Sequence, residues 1–389
     1  MPRRPTGTGT IIEVRSDLES LREIIPDWES LAAGAAEPSP FYEHWMLLPA
    51  LEAFGTGEGF QCVLVWDNGT LAGFFPLQPE RRFHGLPVRA LRTWRHRNMA
   101  LTCTPLVRAK SAANVFAALL ESPLAPALDF EWMPADSAVY AALVESVLAR
   151  GLPWAVTDAY SRAILRREHD PRERFNSNMK NNLRRWQAKL ASHGAVTPVR
   201  LAPDGDLERW TAEFMRLEAS GWKGKEGTAL ACREDDRRFI AAIFPEAFRR
   251  GRLHITGLDL AGKPLARHCM IAGGEGALTF KIAYDETYAS CSPGIVAEVD
   301  NVRQFLENDG PRWVDSNTAR ENTSYGRVWK DRRTFHKVAV GLRGAGKLAV
   351  AALPLLRLTK HALARVAHRQ HGLNGPMKRD RIPAPQPLP

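Results

Sequence analysis

The stretch from Leu278 to Asn308 combines a short apolar strand, a tight loop and a long amphipathic helix, and the loop ends in Ser292-Pro293-Gly294 directly before the helix. The first turn of a helix presents free N–H groups and about half a positive charge, which bind phosphates or carboxylates. Proline has no N–H to lose there, and glycine lets a ligand approach the backbone. The pattern predicts an anion-carrying substrate or cofactor at this loop. A well-capped connection with nothing bound is the alternative.

Four side chains of the same half carry donor atoms that metals prefer: His254, His268, Cys269 and Cys291. No two of them have CxxC or HxxxH spacing, so we expect no metal site. The chain has five cysteines, scattered and without a motif. This indicates reduced thiols in a cytosolic protein.

The net charge of +10 is unevenly distributed. Residues 341–389 hold nine Lys or Arg and one acidic residue, whereas residues 1–340 carry 44 basic and 42 acidic side chains. A nearly neutral body argues against a nucleic-acid surface over the whole protein, although a local basic groove stays open as an alternative. We expect a cytoplasmic protein for which nucleic acid is not the main partner.

The C-terminal segment interleaves cations with apolar residues, among them Leu348, Leu355, Leu358 and Val366. This pattern is typical of a helix on an anionic membrane surface, here the inner membrane face; a disordered solubilising tail is the alternative. The longest apolar run, Leu348–Leu356, has 9 residues, far short of the roughly 20 that a spanning helix needs. The N-terminus has charge but no apolar core after it, so we expect no secretory signal.

Apolar periodicity divides the chain into two similar halves. In the first half it predicts helices over 17–33, 42–54, 111–121 and 136–150, a hairpin of 61–66 and 71–78 around Asn68-Gly69, and strands over 128–132 and 154–159. In the second half it predicts helices over 171–193, 206–220, 233–250 and 295–308 and strands over 254–260, 265–272, 278–283 and 312–316. The repetition indicates a duplicated α+β protein with a boundary near 165–175.

Several segments together resemble one known group. They are EASGWKG at 218–224, GTAL at 227–230, LDLAGKPLARH at 258–268, and YDETY at 284–288 leading to the Ser292-Pro293-Gly294 loop. These resemble the branch of the GNAT superfamily of acyltransferases that contains the CelD-like proteins and lies close to the Fem-type aminoacyl transferases. ARENTSYGRVWKDRR at 319–333 fits the end of that domain. The resemblance is specific over about 170–340 and weaker over 40–160.

The resemblance implies two GNAT-like domains side by side, each a mixed, mostly antiparallel sheet flanked by helices. We expect disorder over 1–10, domains over 11–168 and 169–342, and a basic tail over 343–389 that is partly helical and then disordered. It also implies acyl-CoA, such as acetyl-CoA, as co-substrate, with cofactor-binding residues Ser292, Pro293, Gly294 and Ile295. One departure is clear: the usual phosphate loop is Arg/Gln-x-x-Gly-x-Gly/Ala, and here ASCSPG has a single glycine.

Acyl transfer to an amine needs a base, a group that polarises the thioester carbonyl and an acid for the leaving thiolate. Asp285 lies just past a strand, where it can accept a proton from the acceptor amine. His268 and Asp315 are expected to face the same cleft, and Tyr284 or Tyr288 to protonate the sulfur. The alternatives are that Asp285 only caps the loop and that His268 is a satisfied strand residue.

Substrate binding is expected at Trp222 and Lys223, which can stack on or pair with an anionic group; alternatively Trp222 covers the core edge and Lys223 is solvated. Lys281 lies in an apolar strand, where a buried ammonium needs a carboxylate or phosphate partner. Strict alternation gives the opposite account, with Phe280 and Ile282 on one face and Lys281 in water.

The helix predicted after Pro171 places an apolar stripe beside four cations, Lys180, Arg184, Arg185 and Lys189. An RNA-contacting helix would have this composition, but we favour a surface helix packed through its stripe. The sequence therefore predicts a GNAT-type acyltransferase acting on an amine or hydroxyl of a sugar, lipid or cell-envelope precursor. The alternatives are aminoacyl-tRNA as donor to a cell-wall precursor, and a non-catalytic GNAT-like scaffold.

Overall fold

The computed structural model describes residues 9–95, 102–320 and 324–355. The strands are β1 (Thr10–Arg15), β2 (Gln61–Asp67), β3 (Thr70–Glu80), β4 (Ala90–Thr93), β5 (Leu106–Val107), β6 (Ala127–Pro134), β7 (Trp154–Arg166), β8 (Val196–Arg200), β9 (Leu253–Leu260), β10 (Lys263–Gly273), β11 (Gly276–Tyr284), β12 (Trp313–Asp315) and β13 (Asp331–Gly341). The helices are α1 (Leu18–Arg22), α2 (Ile25–Ala33), α3 (His44–Phe54), α4 (Ala112–Glu121), α5 (Ala138–Ala149), α6 (Ser177–Ala191), α7 (Leu207–Ser220), α8 (Trp222–Lys225), α9 (Glu234–Arg249) and α10 (Pro293–Glu307). Residues 344–355 are also helical.

The strands form one sheet in the order β1-β2-β3-β4-β6-β13-β7-β12-β11-β10-β9-β8, with β5 beside β3. Neighbours are antiparallel except for β4 with β6 and β11 with β12, which are parallel. The strands β1 to β4 and β6 of the first half thus repeat as β8 to β12 in the second. This confirms the α+β class with a mixed, mostly antiparallel sheet flanked by helices.

The two halves exchange their last strands. β13, from the end of the second half, pairs with β6 of the first, and β7, from the end of the first, pairs with β12 of the second. β7 and β13 also pair with each other over ten residue pairs from Asp331↔Ile164 to Val340↔Trp154. Backbone hydrogen bonds therefore run without a break from one half to the other.

Two helix predictions differ from the structure because of proline. The helix expected over 17–33 is two helices, since Pro26 can only occupy the first turn of α2. The segment after Pro171 is a 3₁₀ turn over Pro171–Arg174, and α6 begins at Ser177, where the Asn176 side chain accepts the N–H of Met179 at 2.9 Å.

The predicted terminal disorder falls mainly outside the described residues, namely on 1–8 and 356–389. Thr10 already begins β1, which pairs with β2. The apolar core lies on both faces of the sheet. One cluster runs under α2, α3, α7 and α9 across both halves, and others lie under α4 and α5 or under α6 and α10 on the opposite face.

Candidate active site

β11 and β12 pair over only three residues and then part. Their parallel register runs from Gly276↔Trp313 to Leu278↔Asp315, and β11 continues to Tyr284 without β12 beside it. On its other edge, β11 carries a bulge, because Cys269 of β10 is opposite Lys281 while Met270 is opposite Thr279. A bulge bends and twists the strand that contains it. Beyond Leu278, this edge of β11 is therefore not paired with β12, and the unpaired edge, the opening, leads to the loop before α10.

The bulge also decides where Lys281 points. Phe280 is the extra residue, and its ring contacts Phe244 of α9 at 5.6 Å between centroids. The next side chain, Lys281, turns to the same face and meets Glu218 of α7, so it is only 16% exposed. The strict alternation of side chains between the two faces of β11 therefore fails at this point. The structure shows Lys281 with a carboxylate partner, as the first of the two accounts expected.

Glu218 is the centre of this cluster, and it is 3% exposed. Its Oε1 lies 3.4 Å from both Lys223 Nζ and Lys281 Nζ, and its Oε2 accepts the N–H of Leu230 at 2.9 Å. Burial, with Lys281 as the next cause, lowers the pKa of Lys223. Glu286 also acts electrostatically on Lys223, so the two ammonium groups lie near two carboxylates beside the unpaired part of β11.

Trp222 completes the set of predicted substrate-binding residues. Trp222 is 38% exposed, and its backbone N–H donates to Glu286 Oε1 at 2.8 Å. Gly221 makes room for that carboxylate, since a Cβ there would lie 2.3 Å from Glu286 Oε1. The hydrogen bond ties the connection after α7 to the loop after β11.

Sequence reasoning missed Glu218, although a signal was present. Trp210, Phe214 and Leu217 form the buried stripe of α7, and Glu218 lies four residues after Phe214 on the same side. A carboxylate on the apolar stripe of a helix requires a buried cation.

The α10 N-terminus offers fewer donors than a typical helix. Ser292 adopts the left-handed conformation with φ of 46°, and Pro293 has no N–H. The N–H groups of Ile295 and Val296 both donate to Ser292 O, at 3.0 and 3.1 Å. This leaves the N–H of Gly294 as the free backbone donor of the first turn among the described residues.

Gly294 faces the ring of Tyr284 across the opening. A Cβ at Gly294 would lie 3.1 Å from Tyr284 Cδ1. Burial raises the pKa of Tyr284, and Glu286 adds to the shift. A phenol that keeps its proton beside the end of the strand is suited to donate that proton to a leaving group.

Asp285 and Tyr288 lie in the same loop as Tyr284 and Gly294. Asp285 Oδ1 accepts from both the N–H and the hydroxyl of Thr287, at 2.9 and 2.6 Å, so one of its oxygens shapes the turn. The Tyr288 ring packs edge-on against His193, with 5.4 Å between centroids. The structure thus gathers three of the five predicted catalytic residues around the α10 N-terminus.

His268 is elsewhere, buried between β10 and α10. Its Nε2 lies 3.1 Å from Tyr325 Oη and its Nδ1 lies 3.4 Å from Glu298 Oε2, while Trp329 Nε1 donates to Glu298 Oε1 at 2.7 Å. Burial lowers the pKa of His268 to about 4 and raises the pKa of Glu298 to about 8. At neutral pH, Glu298 is therefore protonated and His268 is neutral. The protonated Glu298 carboxyl is able to donate a hydrogen bond to His268 Nδ1.

Asp315 is also sealed off from the loop. It forms a two-pronged ion pair with Arg162 at 2.6 and 2.8 Å, and both side chains are 1% exposed. Arg162 in turn stacks on Phe335 at 3.8 Å. Asp315 is opposite Leu278 of β11. Leu278 lies seven residues before Asp285, which corresponds to about 20 Å along a strand. The pair connects β12 to β7.

The basic helix α6 packs against the loop before α10. Lys189 Nζ donates to Ser290 Oγ at 2.9 Å, and Leu183 and Trp186 pack into the apolar cluster that contains Val296. The four cations of α6 are exposed and the helix has no acidic residue. Within the described ranges, none of these cations forms an ion pair. A row of unpaired positive charge thus borders the candidate phosphate loop.

In 9–95, 102–320 and 324–355, no group of three His, Cys, Asp or Glu side chains is arranged to hold a metal ion. Over the same residues, none of the helices combines the length and the apolar character needed to cross a bilayer.

Residues 177–327 match the family model described as the acetyltransferase (GNAT) domain. Among solved structures, FemX is similar at 12% identity over 89% of this chain and 99% of that chain, with a TM-score of 0.51. The C-terminal domain of a putative lysylphosphatidylglycerol synthetase from Agrobacterium fabrum is similar at 12% identity over 87% and 96%, with a TM-score of 0.50. No curated protein matches the sequence. These findings confirm the GNAT resemblance, the fold and the transferase class.

Proposed function

We propose, from the match of residues 177–327 to the acetyltransferase (GNAT) domain model, that the chain transfers an acyl group from acyl-CoA to an amine or hydroxyl. The proposed acceptor is part of a sugar, a lipid or a cell-envelope precursor. The observation that carries the proposal is the opening between β11 and β12, which leads to the free N–H of Gly294. Parted strands can admit the narrow thiol arm of CoA, and a helix N-terminus can hold its pyrophosphate.

We assign the donor side to the start of α10. Ser292, Pro293, Gly294 and Ile295 would surround the pyrophosphate, with Gly294 supplying a backbone N–H. No metal has a part in the proposal, because phosphate charge is met by the helix end and by nearby cations such as Lys189.

The acceptor side is assigned to the Glu218 cluster on the other face of β11. Lys223 and Lys281 share one carboxylate, so the cluster can pair with an anionic group of the acceptor. Trp222 offers an exposed ring beside it for stacking. We therefore expect the acceptor to carry a phosphate or carboxylate near the group that is acylated.

In the proposed reaction, the acceptor nitrogen or oxygen attacks the thioester carbonyl. The new bond to carbon forms, the carbon–sulfur bond breaks, and Asp285 takes the proton from the acceptor through Oδ2. Tyr284, or Tyr288 as the second choice, gives its proton to the thiolate. His268 and Asp315 are proposed as positioning residues, because neither reaches the opening.

The first experiment is calorimetric binding of acetyl-CoA, longer acyl-CoAs and free CoA to the full chain. Micromolar binding that is lost in Gly294→Val supports the phosphate site, since a branched side chain would press on Tyr284. Tyr284→Phe is the matched control: it keeps the ring, so CoA binding should persist while turnover falls. Absence of binding by every CoA would overturn acyl-CoA as the donor.

A second candidate donor, aminoacyl-tRNA, is favoured by one observation, the unpaired cations of α6 beside the loop. Counterion release makes tRNA binding to such a surface strongly salt-dependent. Changing Lys180, Arg184, Arg185 and Lys189 to Gln should then weaken tRNA binding and flatten its salt dependence. The control neutralises the ion-paired arginines of α9 instead, and it should leave binding unchanged.

Binding of neither CoA nor tRNA would leave a non-catalytic GNAT-like scaffold as the function. Asp285→Asn distinguishes this case, because an enzyme loses turnover in the variant while a scaffold keeps its biological role. The proposed location is the cytoplasm, with peripheral contact at the inner membrane face.

A further inference from the structure

The helix of residues 344–355 is apolar on two opposite sides. Ala349, Val350 and Leu353 are buried, in a cluster with residues of β4, β6 and β13. Leu348 and Leu355, seven residues apart and so on one side of the helix, are 75% and 67% exposed. A helix that is apolar all round is normally covered on all sides. The outward side of the 344–355 helix is therefore expected to bind a partner.

The fold fixes the direction in which this outward side points. The N–H groups of Leu342 and Arg343 both donate to Pro126 O, at 2.9 and 3.2 Å. Gly346 then lets the helix touch the same carbonyl, since a Cβ there would lie 1.9 Å from Pro126 O. The two leucines are thus presented by an anchored helix.

Other exposed apolar surface lies at the same end of the molecule. Leu148, near the end of α5, is 60% exposed. Arg150, two residues further on, lines one groove together with Leu342 and Arg343, so the end of α5 is next to the start of the 344–355 helix. Leu348 and Leu355 are two of the five large apolar side chains that are exposed in the described residues. Clustered apolar exposure marks an interaction site.

The charge around this surface identifies the class of partner. Arg343 and Lys347 are exposed at the start of the helix, and the sequence from 356 to 389 adds seven Lys or Arg against one Asp. Cations beside an apolar helix face complement anionic headgroups above an acyl boundary. We propose that the outward face of the 344–355 helix, through Leu348 and Leu355, docks on an anionic membrane surface. This inference does not depend on the identity of the acyl donor.

The test is co-sedimentation of the full chain with vesicles of phosphatidylcholine alone and of phosphatidylcholine mixed with phosphatidylglycerol. We expect binding to the anionic vesicles only. The double variant Leu348→Gln/Leu355→Gln should weaken it by about tenfold or more, because two leucines no longer enter the acyl boundary. Val14→Gln is the matched control, since Val14 is 42% exposed on β1 and lies outside this helix.

Three outcomes would overturn the proposal. The first is no binding to anionic vesicles. The second is salt-sensitive binding that is unchanged in the double variant, which would assign vesicle binding to the charges of the tail alone. The third is a change of oligomeric state in the double variant without a change in vesicle binding, which would make a second copy the partner. Circular dichroism checks the fold of each variant. Calorimetry with acetyl-CoA in the absence of vesicles tests the proposed activity separately, so failure of the membrane proposal is distinguished from failure of the acyltransferase proposal.

Discussion

The buried pair of His268 and Glu298 gives the most direct quantitative prediction. Folding raises the pKa of Glu298 from its ordinary 4.5 to about 8 and lowers the pKa of His268 from 6.5 to about 4. A group whose pKa is raised on folding adds stability that is complete below its unfolded pKa and is lost as pH rises through its folded pKa. The stability that Glu298 contributes is therefore lost between pH 4.5 and 8. For His268, whose pKa is lowered, stability is instead lost as pH falls from 6.5 to 4.

The two shifts cancel over part of the range. Between pH 4.5 and 6.5 the folded pair holds one proton on Glu298 and the unfolded pair holds one on His268, so their stability contribution is constant. Between pH 6.5 and 8 only the folded state holds a proton. At about 1.4 kcal/mol per pH unit, the free energy of unfolding then falls by about 2 kcal/mol.

Glu298→Gln isolates the effect, because an amide oxygen can still accept the bond from Trp329 Nε1 but the amide does not titrate. The variant should lose the decline between pH 6.5 and 8. Below pH 6.5 it should instead lose about 3 kcal/mol down to pH 4.5, since only unfolded His268 then gains a proton. Urea unfolding followed by circular dichroism at several pH values measures both slopes. The control is Glu307→Gln, on the exposed end of the same helix.

Parallel stability curves for the wild type and Glu298→Gln between pH 6.5 and 8 would refute the reasoning. They would mean that the folded pair holds no proton above pH 6.5, with Glu298 ionised and His268 neutral. A steeper decline in the variant than in the wild type would refute it equally, because Glu298 would then not be the group that loses its proton in this range.

Two further predictions concern contacts that sequence analysis did not foresee. Arg162→Met should lower the free energy of unfolding by about 3–5 kcal/mol, because Asp315 would be left as a buried, unpaired carboxylate; urea unfolding checks this, and Arg162→Met/Asp315→Leu should recover part of the loss. Gly221→Ala should displace Glu286 from the N–H of Trp222 and loosen the connection after α7, so trypsin should cut the chain after Lys223 faster than in the wild type. Cleavage at an unchanged rate would show that this hydrogen bond does not order the segment.

Local patterns in the sequence were enough to place most elements near the candidate site. The hairpin at Asn68-Gly69 was predictable because both residues adopt positive φ, at 49° and 75°, as the tight turn requires. The strand, loop and helix from Leu278 to Asn308 were predictable because apolar periodicity changes there from two to 3.6 residues.

Long-range pairing was not accessible to the same reasoning. β8 and β13 were not predicted. β8 has five residues of which three are exposed, and β13 begins with four polar residues of which only Arg333 is buried, in an ion pair with Glu37. The bulge at Phe280 reverses the alternation that placed Lys281 in water, and nothing in the local sequence marks it. His268 was grouped with the loop residues because strand order alone does not say which face a side chain occupies.

The strand exchange explains why the candidate donor opening depends on both halves. β12 is three residues long, too short to hold its place through its pairing with β11 alone. It is held on the other side by β7, through the register from Trp313↔Arg166 to Asp315↔Ile164 and through the buried pair of Arg162 and Asp315. Because β7 ends the first half, the width of the opening between β11 and β12 is set by a strand that the GNAT domain at 177–327 does not contain. The duplicated architecture thus holds β12 in place while the end of β11 diverges from it.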